Sequence, residues 1–337
     1  MSTMAGITWS RITRAALGGA LLVGAALAPS MASAADKFTF LTSWFAQAEH
    51  GGFYQAKATG LYKKAGLDVT IKMGGPQING LQLLLGGGAD VIMGYDIQVL
   101  NAVEKGLPVI TVGTSFQKDL QGMMTHADVK SLGGLKGKTI LIAASSHTTF
   151  WPWLKQRFGY TDAQVKPYTF NLQPFFANDN VAQQAYPSSE PFQAMQHHVP
   201  VNFFLFADSG YPPYGTTMVT TTKLLKEKPD VLKRFVKASM EGWKNYLTGD
   251  PSPANALIKK DNPKMTDAQI AFGIKRMKEL KVVNGGDAAT MGIGVMTDAR
   301  WKATYDFMVK GGLLKKDVDY KKAYTTKLID GMHIMMN

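Results

Sequence analysis

The chain has 337 residues, no cysteine, and 37 Lys and Arg against 25 Asp and Glu, a formal net charge of +12. The lack of cysteine excludes a disulfide framework, a thiol nucleophile and a lipid anchor on cysteine. The excess of cations raises nucleic acid or an anionic surface as partners. However, the lysines are scattered along predicted helices (Lys63-Lys64, Lys223 to Lys237, Lys275 to Lys281) rather than gathered in one arm, so they read as solvated faces.

Residues 1–34 read as a secretory signal peptide. Arg11 and Arg14 precede an apolar run from Ala15 to Leu27, and Ala32-Ser33-Ala34 supplies a small-residue cleavage site. The run is short for a bilayer, which takes ~20 apolar residues. Cleavage after Ala34 removes two arginines and no acid, taking +12 to +10. The expected location is a bacterial periplasm, which makes nucleic acid an implausible partner. About 300 residues remain, enough for two domains of ~150 each.

From Phe38 the pattern is strand, polar aromatic loop (Trp44 to His50), helix from Gly51-Gly52, short turn to Ala65, then strand Asp68 to Met73. The paired glycines leave a helix start whose N–H groups are expected to face a ligand. A helix to Leu85, strand Asp90 to Met93, helix from Asp96 as N-cap to Lys105, and strand Val109 to Val112 continue the alternation. Met123 to His126 reads as a strand leaving the first domain, followed by polar loop to Lys138. Gly133 to Thr139 (GGLKGKT) fails as a phosphate-binding loop: three residues, not four, separate its glycines, and it precedes a strand.

A second alternating set begins at Thr139. Strand Thr139 to Ala143 leads to a helix holding Trp151 and Trp153, strand Pro167 to Phe170, strand Val181 to Ala185, and a buried strand Val201 to Phe206. Asp208 to Gly215 is a second linker, and Thr216 to Thr221 returns to the first domain. The remainder is helical, over Pro229 to Leu247, Ala254 to Lys260, Asp267 to Leu280 (Thr266 as N-cap) and Thr297 to Lys310. The expectation is an α/β protein of two lobes, each a mostly parallel sheet flanked by helices, with a helical C-terminal extension. Lobe 1 is expected over 35–125 and 216–337, and lobe 2 over 126–215.

Catalytic signatures are absent: no H-E-x-x-H, G-x-S-x-G or G-x-G-x-x-G. His197-His198 are adjacent and point apart, which opposes a joint metal site. His126 and His333 have no ligand pattern around them. Neither a metal nor a cofactor is called for. Trp44, Tyr95, Trp151, Tyr186 and Phe192 fall at strand ends or helix starts, where a cleft between lobes lies, and aromatic faces there suit a planar heterocycle. His50 is either a ligand hydrogen-bonding group or structural. Glu190 either pairs with a ligand or caps the helix at Pro191. Trp153, Trp243 and Trp301 sit in helical patterns and are assigned to the core.

The pattern W-x-x-x-x-x-H-G-G-F-Y-x-A, then G-L-Y-x-x-A-G-L-D-V, resembles the first segment of periplasmic binding proteins for nitrate, sulfonates, taurine and thiamine-pyrimidine precursors. The tryptophan and histidine most resemble the thiamine-pyrimidine branch. LKGK before a strand, V-N-F-F-L-F-A-D-S-G and P-D-V-L-K-R-F-V-K-A-S-M-E-G-W extend the resemblance over nearly all of residues 37–260. It implies a monomeric solute-binding component of an ABC importer, partnered by a membrane permease and its ATPase, and a glutamate at the place of Glu190 that pairs with an aminopyrimidine. Nitrate, taurine or an alkanesulfonate are the alternative ligands, and an exported sensor is an alternative role. The fold also resembles a eukaryotic pyrimidine-forming enzyme with a lysine and a histidine in the stretch matching Gly94 to Gln98 and a later cysteine-rich run. This chain has Gly94 and Gln98 there and no cysteine.

Overall fold

The computed structural model describes residues 34–336, so the expected signal peptide lies almost wholly outside the described residues. Alternating apolar runs form ten strands: β1 (Asp36–Leu41), β2 (Leu67–Lys72), β3 (Val91–Gly94), β4 (Val109–Phe116), β5 (Gly122–His126), β6 (Thr139–Ile142), β7 (Val165–Pro167), β8 (Val181–Ala185), β9 (Val201–Leu205) and β10 (Gly215–Thr221). They make two five-stranded sheets, ordered β2-β1-β3-β10-β4 and β7-β6-β8-β5-β9. These are the two lobes.

Each sheet is mixed, with one strand reversed against four. β1 pairs parallel with β2 and β3, while β10 runs antiparallel to β3 and β4. In the second sheet β6 pairs parallel with β7 and β8, while β5 runs antiparallel to β8 and β9. The reversed strand is in each case the first one after the chain changes lobe. Both sheets therefore repeat one plan, which puts the carboxyl ends of β1, β3, β6 and β8 at a common junction, the usual place for a ligand in open α/β sheets.

Two expectations about organisation are corrected. The chain leaves the first lobe over residues 117–121, before β5, and not at Thr125–His126. β5 pairs along its whole length with β9, so the composition break after His126 marks a loop inside the second lobe. β9 is a half-buried edge strand, not a buried one, because no strand among the described residues pairs with its outer side.

The paired glycines also serve packing, contrary to expectation. The helix Gly51–Ala58 lies against the helix Pro229–Thr248 so closely that a Cβ on Gly52 would stand 2.1 Å from Trp243 Cγ, and one on Gly51 2.0 Å from Tyr246 Cε1. From the other side, a Cβ on Gly242 would fall 2.2 Å from Gly52 O. Three glycines thus let two helices and two buried aromatics share one contact, and Trp243 meets Phe53 and Phe116 edge-on at 6.0 and 5.3 Å. Trp153 and Trp301 are likewise buried, as their helical spacing implied. Among the described residues no helix is long and apolar enough to cross a membrane.

Candidate ligand cavity between the lobes

The loop after β1 is fixed by one hydroxyl: Thr42 Oγ1 donates to Trp44 O at 2.7 Å and accepts from Gly74 N at 3.0 Å. It holds Trp44 at the junction, where the indole stacks on Tyr168 of the second lobe (5.9 Å, 26°) and meets Phe170 edge-on at 6.0 Å. The same loop runs into the 3-10 turn Ala48–His50, which carries Glu49 and His50 inward, both buried. Tyr95 follows β3 and Tyr186 follows β8, and their hydroxyls meet across the junction at 3.0 Å. Glu190 opens the helix Glu190–Gln196. Its carboxylate accepts from Tyr168 Oη at 2.8 Å and Tyr186 N at 2.9 Å, closing the loop on itself.

These side chains line a small cavity, partly open to solvent, with walls from both lobes. Trp44, His50, Tyr95, Tyr186 and Glu190 all line it, so five of the seven expected residues are brought together. Trp151 is not. It is buried beneath its helix, with Nε1 donating to Asp162 at 2.8 Å and its ring 5.9 Å from Tyr160, because the helix Phe150–Phe158 turns this face to its own lobe. Phe192 packs on Phe272 outside the cavity.

Sequence reasoning passed over Gln47, Glu49, Gln121, Ser146 and Gln184, which join Ser43, Ser145 and Thr216 in the polar wall. Glu49 and Gln47 carried a legible signal, as polar groups wedged among alanines beside His50. Gln184 carried none, being one of two adjacent glutamines in a strand. It is fixed by Ser146, whose Oγ donates to Gln184 Oε1 at 2.6 Å. Asp96, expected as an N-cap, instead starts its helix and turns its carboxylate to Tyr214 N at 3.0 Å.

The wall contains two carboxylates and no Lys or Arg. Burial pushes Glu190 up to about 7, against the pull of the bonds from Tyr186 and Tyr168. It raises Glu49 too, opposed by the hydroxyl of Ser188. Burial drives His50 down to about 3, so its imidazole is neutral, and its Nδ1 has no hydrogen-bond partner. A cavity so lined accepts protons and offers aromatic faces. It has no fixed cation with which to hold an anion.

Two five-stranded lobes closing on such a cavity define the fold of periplasmic solute-binding proteins. The alkanesulfonate-binding protein SsuA of Xanthomonas axonopodis, bound to MOPS, superposes with a TM-score of 0.61 at 15% identity, over 86% of this chain and 98% of that one. The chain belongs to the NMT1/THI5-like family, whose model matches residues 47–254. A 4-amino-5-hydroxymethyl-2-methylpyrimidine phosphate synthase of Aspergillus parasiticus is 29% identical over 31% of this chain, which spans about a third (32%) of that protein's length. A formylaminopyrimidine-binding protein of Halalkalibacterium halodurans is 23% identical over 65% of this chain and 68% of its own.

Proposed function

We propose that the chain is the extracytoplasmic solute-binding component of an ABC importer and captures a small, neutral or cationic aminoheteroaromatic of the thiamine-pyrimidine type. The observation that carries this reading is the composition of the cavity wall: Trp44, Tyr95 and Tyr186 as aromatic surface, Glu190 as acceptor, and no cation. A carboxylate accepts two parallel hydrogen bonds from an amino group and an adjacent protonated ring nitrogen, a stronger arrangement than any neutral pair. The same wall repels nitrate and sulfonates, whose charge needs fixed donors and cations. The name of the Halalkalibacterium relative points to the same ligand chemistry.

On this reading the protein binds rather than catalyses. The 1–34 segment directs it to the periplasm and is removed after Ala34, and the protein works as a monomer that delivers its ligand to a membrane permease. The intact mass of protein taken from the periplasm then corresponds to a chain starting at Ala35. Calorimetry tests the ligand: an aminopyrimidine binds, and at ~100 times its dissociation constant adds ~2.7 kcal/mol to stability. Binding of taurine, an alkanesulfonate or nitrate, with no response to any aminopyrimidine, refutes the ligand assignment.

A further inference from the structure

Outside the cavity, soft metal ligands gather around residues 331–336, which read G-M-H-I-M-M. The side chains of this run divide between two environments. Met332, Ile334 and Met336 pack against the core, Met332 closing over Gly294 beside Met240. His333 is exposed, and its positive φ of 39° turns the backbone so that its ring leaves the core while both neighbours face it. Met335 and Met336 line a groove against Ala288 and Ala289. Those alanines belong to the short helix Ala288–Met291, whose last residue, Met291, is 46% exposed. The two segments are pinned together: Ile293 N donates to Ile334 O at 2.9 Å, and a Cβ on Gly292 would stand 3.1 Å from His333 Cα. Consecutive Cα atoms lie about 3.8 Å apart, so the side chains of Met291, His333 and Met335 start from adjoining backbone and can converge.

A single exposed methionine is ordinary, but an imidazole bordered by thioethers from two segments is a set of metal donors. Thioether sulfur is neutral and polarizable, and together with imidazole it suits Cu(I) and the redox-inert Ag(I), not ions that take oxygen ligands. The surroundings oppose a hard divalent ion. No carboxylate lines the groove, whereas Lys281 does. Asp287 and Asp330, the carboxylates nearest in sequence, accept from the hydroxyls of Thr297 and Thr326. A monovalent ion meets half the repulsion from Lys281 that a divalent one meets. We propose that His333, Met291 and Met335 form a site for Cu(I), separate from the ligand cavity and independent of what that cavity holds.

Native mass spectrometry with Ag(I), and competition for Cu(I) against bicinchoninate under argon with ascorbate, test this. The protein takes up a single ion, and neither Mg(II) nor Ca(II) displaces it. In methyl NMR of the methionines, Ag(I) shifts the signals of Met291 and Met335 and leaves that of the buried Met240 in place. Met291→Leu, Met335→Leu and His333→Ala each weaken binding at least about tenfold, a loss that removal of even an outer-shell partner reaches. Leucine keeps the packing and removes only the sulfur. Met195→Leu, at a methionine 54% exposed on the second lobe, leaves the affinity unchanged. Absence of bound Ag(I) and Cu(I), or binding untouched by His333→Ala combined with Met335→Leu, overturns the proposal. An equal loss on Met195→Leu also overturns it, since scattered thioethers would then account for the uptake. The wild-type methyl spectrum decides the matter if a variant fails to fold.

Discussion

Four carboxylates are buried around the lobe junction, in two pairs that resemble each other in burial and differ in position. Asp96 and Asp119 lie by the two crossing segments and away from the cavity wall. Asp96 accepts from Ile97 N at 2.9 Å, Tyr214 N at 3.0 Å and Thr304 Oγ1 at 3.2 Å, and Asp119 from Gln121 N at 3.0 Å and Gln121 Nε2 at 3.2 Å. Arg300 braces the same place. Its Nη2 donates to Gln117 O at 3.0 Å and Pro212 O at 3.3 Å, tying both crossings together, and its guanidinium covers the Tyr214 ring at 4.3 Å. Glu49 and Glu190 instead line the cavity, Glu49 with the Ser188 hydroxyl as side-chain donor and Glu190 with one backbone and one side-chain donor. Burial raises all four, Asp96 to about 6 and Asp119 and Glu190 to about 7. Titration therefore does not separate structure from function here; position does. A carboxylate such as Asp96, held by backbone N–H groups from two segments, fixes a crossing, and one that lines the cavity is available to a ligand.

Removal of one member of the crossing pair gives the largest effect. Asp96→Ala strands the Tyr214 N–H and the Thr304 hydroxyl in the interior and deprives Arg300 of a nearby charge. It should cost roughly 3–5 kcal/mol, the range for breaking a buried charge network. Urea unfolding of the ligand-free protein measures it, and a loss under 1 kcal/mol would show that backbone saturation carries little stability.

Next comes pH, where both pairs act together. The folded protein holds these four protons more tightly than the unfolded chain does, so between the unfolded and folded pKa values it binds more of them. Their contribution is fully present below about pH 4 and is lost as pH rises through about 6 to 7. The exposed Asp128, Asp162, Asp250 and Asp298 are shifted downward and act the opposite way, losing stability only in stronger acid. Ligand-free protein should therefore melt higher at pH 5 than at pH 8, by of the order of 3 kcal/mol. Glu190→Gln should flatten the slope, and an unchanged slope would remove Glu190 from the account.

Glu190→Gln also sharpens the comparison at fixed pH. At pH 8 the amide relieves a buried charge but can accept from only one of Tyr168 Oη and Tyr186 N, which bond to separate oxygens, so the free protein should lose about 1–3 kcal/mol at most. Affinity for an aminopyrimidine should nonetheless fall about tenfold or more with loss of a charge-assisted bond. Asp96→Asn should cost stability without touching affinity, because one oxygen can still accept from Tyr214 N and Thr304 Oγ1 but an amide N–H then faces Ile97 N. Calorimetry separates the two; an unchanged affinity in Glu190→Gln would place Glu190 with the structural pair.

Much of this was legible before the structure, and what was not has physical reasons. Alternating apolar residues marked most strands, and Thr266 caps its helix as read, accepting from Gln269 N at 3.1 Å. Trp44, His50 and Glu190 stood out as polar or aromatic groups at strand ends, where open α/β sheets place ligands. Trp151 misled because a helix start fixes position and not facing. The glycine pair misled because a small residue signals close approach without naming what approaches, here Trp243 and Tyr246. Asp96 read as a cap because its partner Tyr214 lies 118 residues away and periodicity reports only local structure. The first lobe crossing was displaced because Met123 and Met124 are as apolar as any first-lobe strand, and only pairing with β9 assigns them.

The smallest expected effect concerns the hydroxyl–hydroxyl hydrogen bond between Tyr95 and Tyr186, which joins the two lobes across the cavity. Tyr95 and Tyr186 each belong to a strand end of a different sheet, and both side chains line the cavity. Tyr95→Phe keeps the aromatic surface and removes one oxygen. Because the remaining Tyr186 hydroxyl borders the cavity, water replaces the lost partner, and the cost stays near the net value of a neutral bond, about 0.5–1.5 kcal/mol. That cost falls on the closed form alone, since the hydroxyls part when the lobes separate. The balance between open and closed forms should then shift by roughly two- to twelvefold toward open. Small-angle scattering of the ligand-free protein should show a larger radius of gyration, while saturating ligand restores the wild-type value. An unchanged radius in the free protein would mean that Trp44 packed on Tyr168, together with the serine contacts to Gln47 and Glu49, governs closure without help from the tyrosine pair.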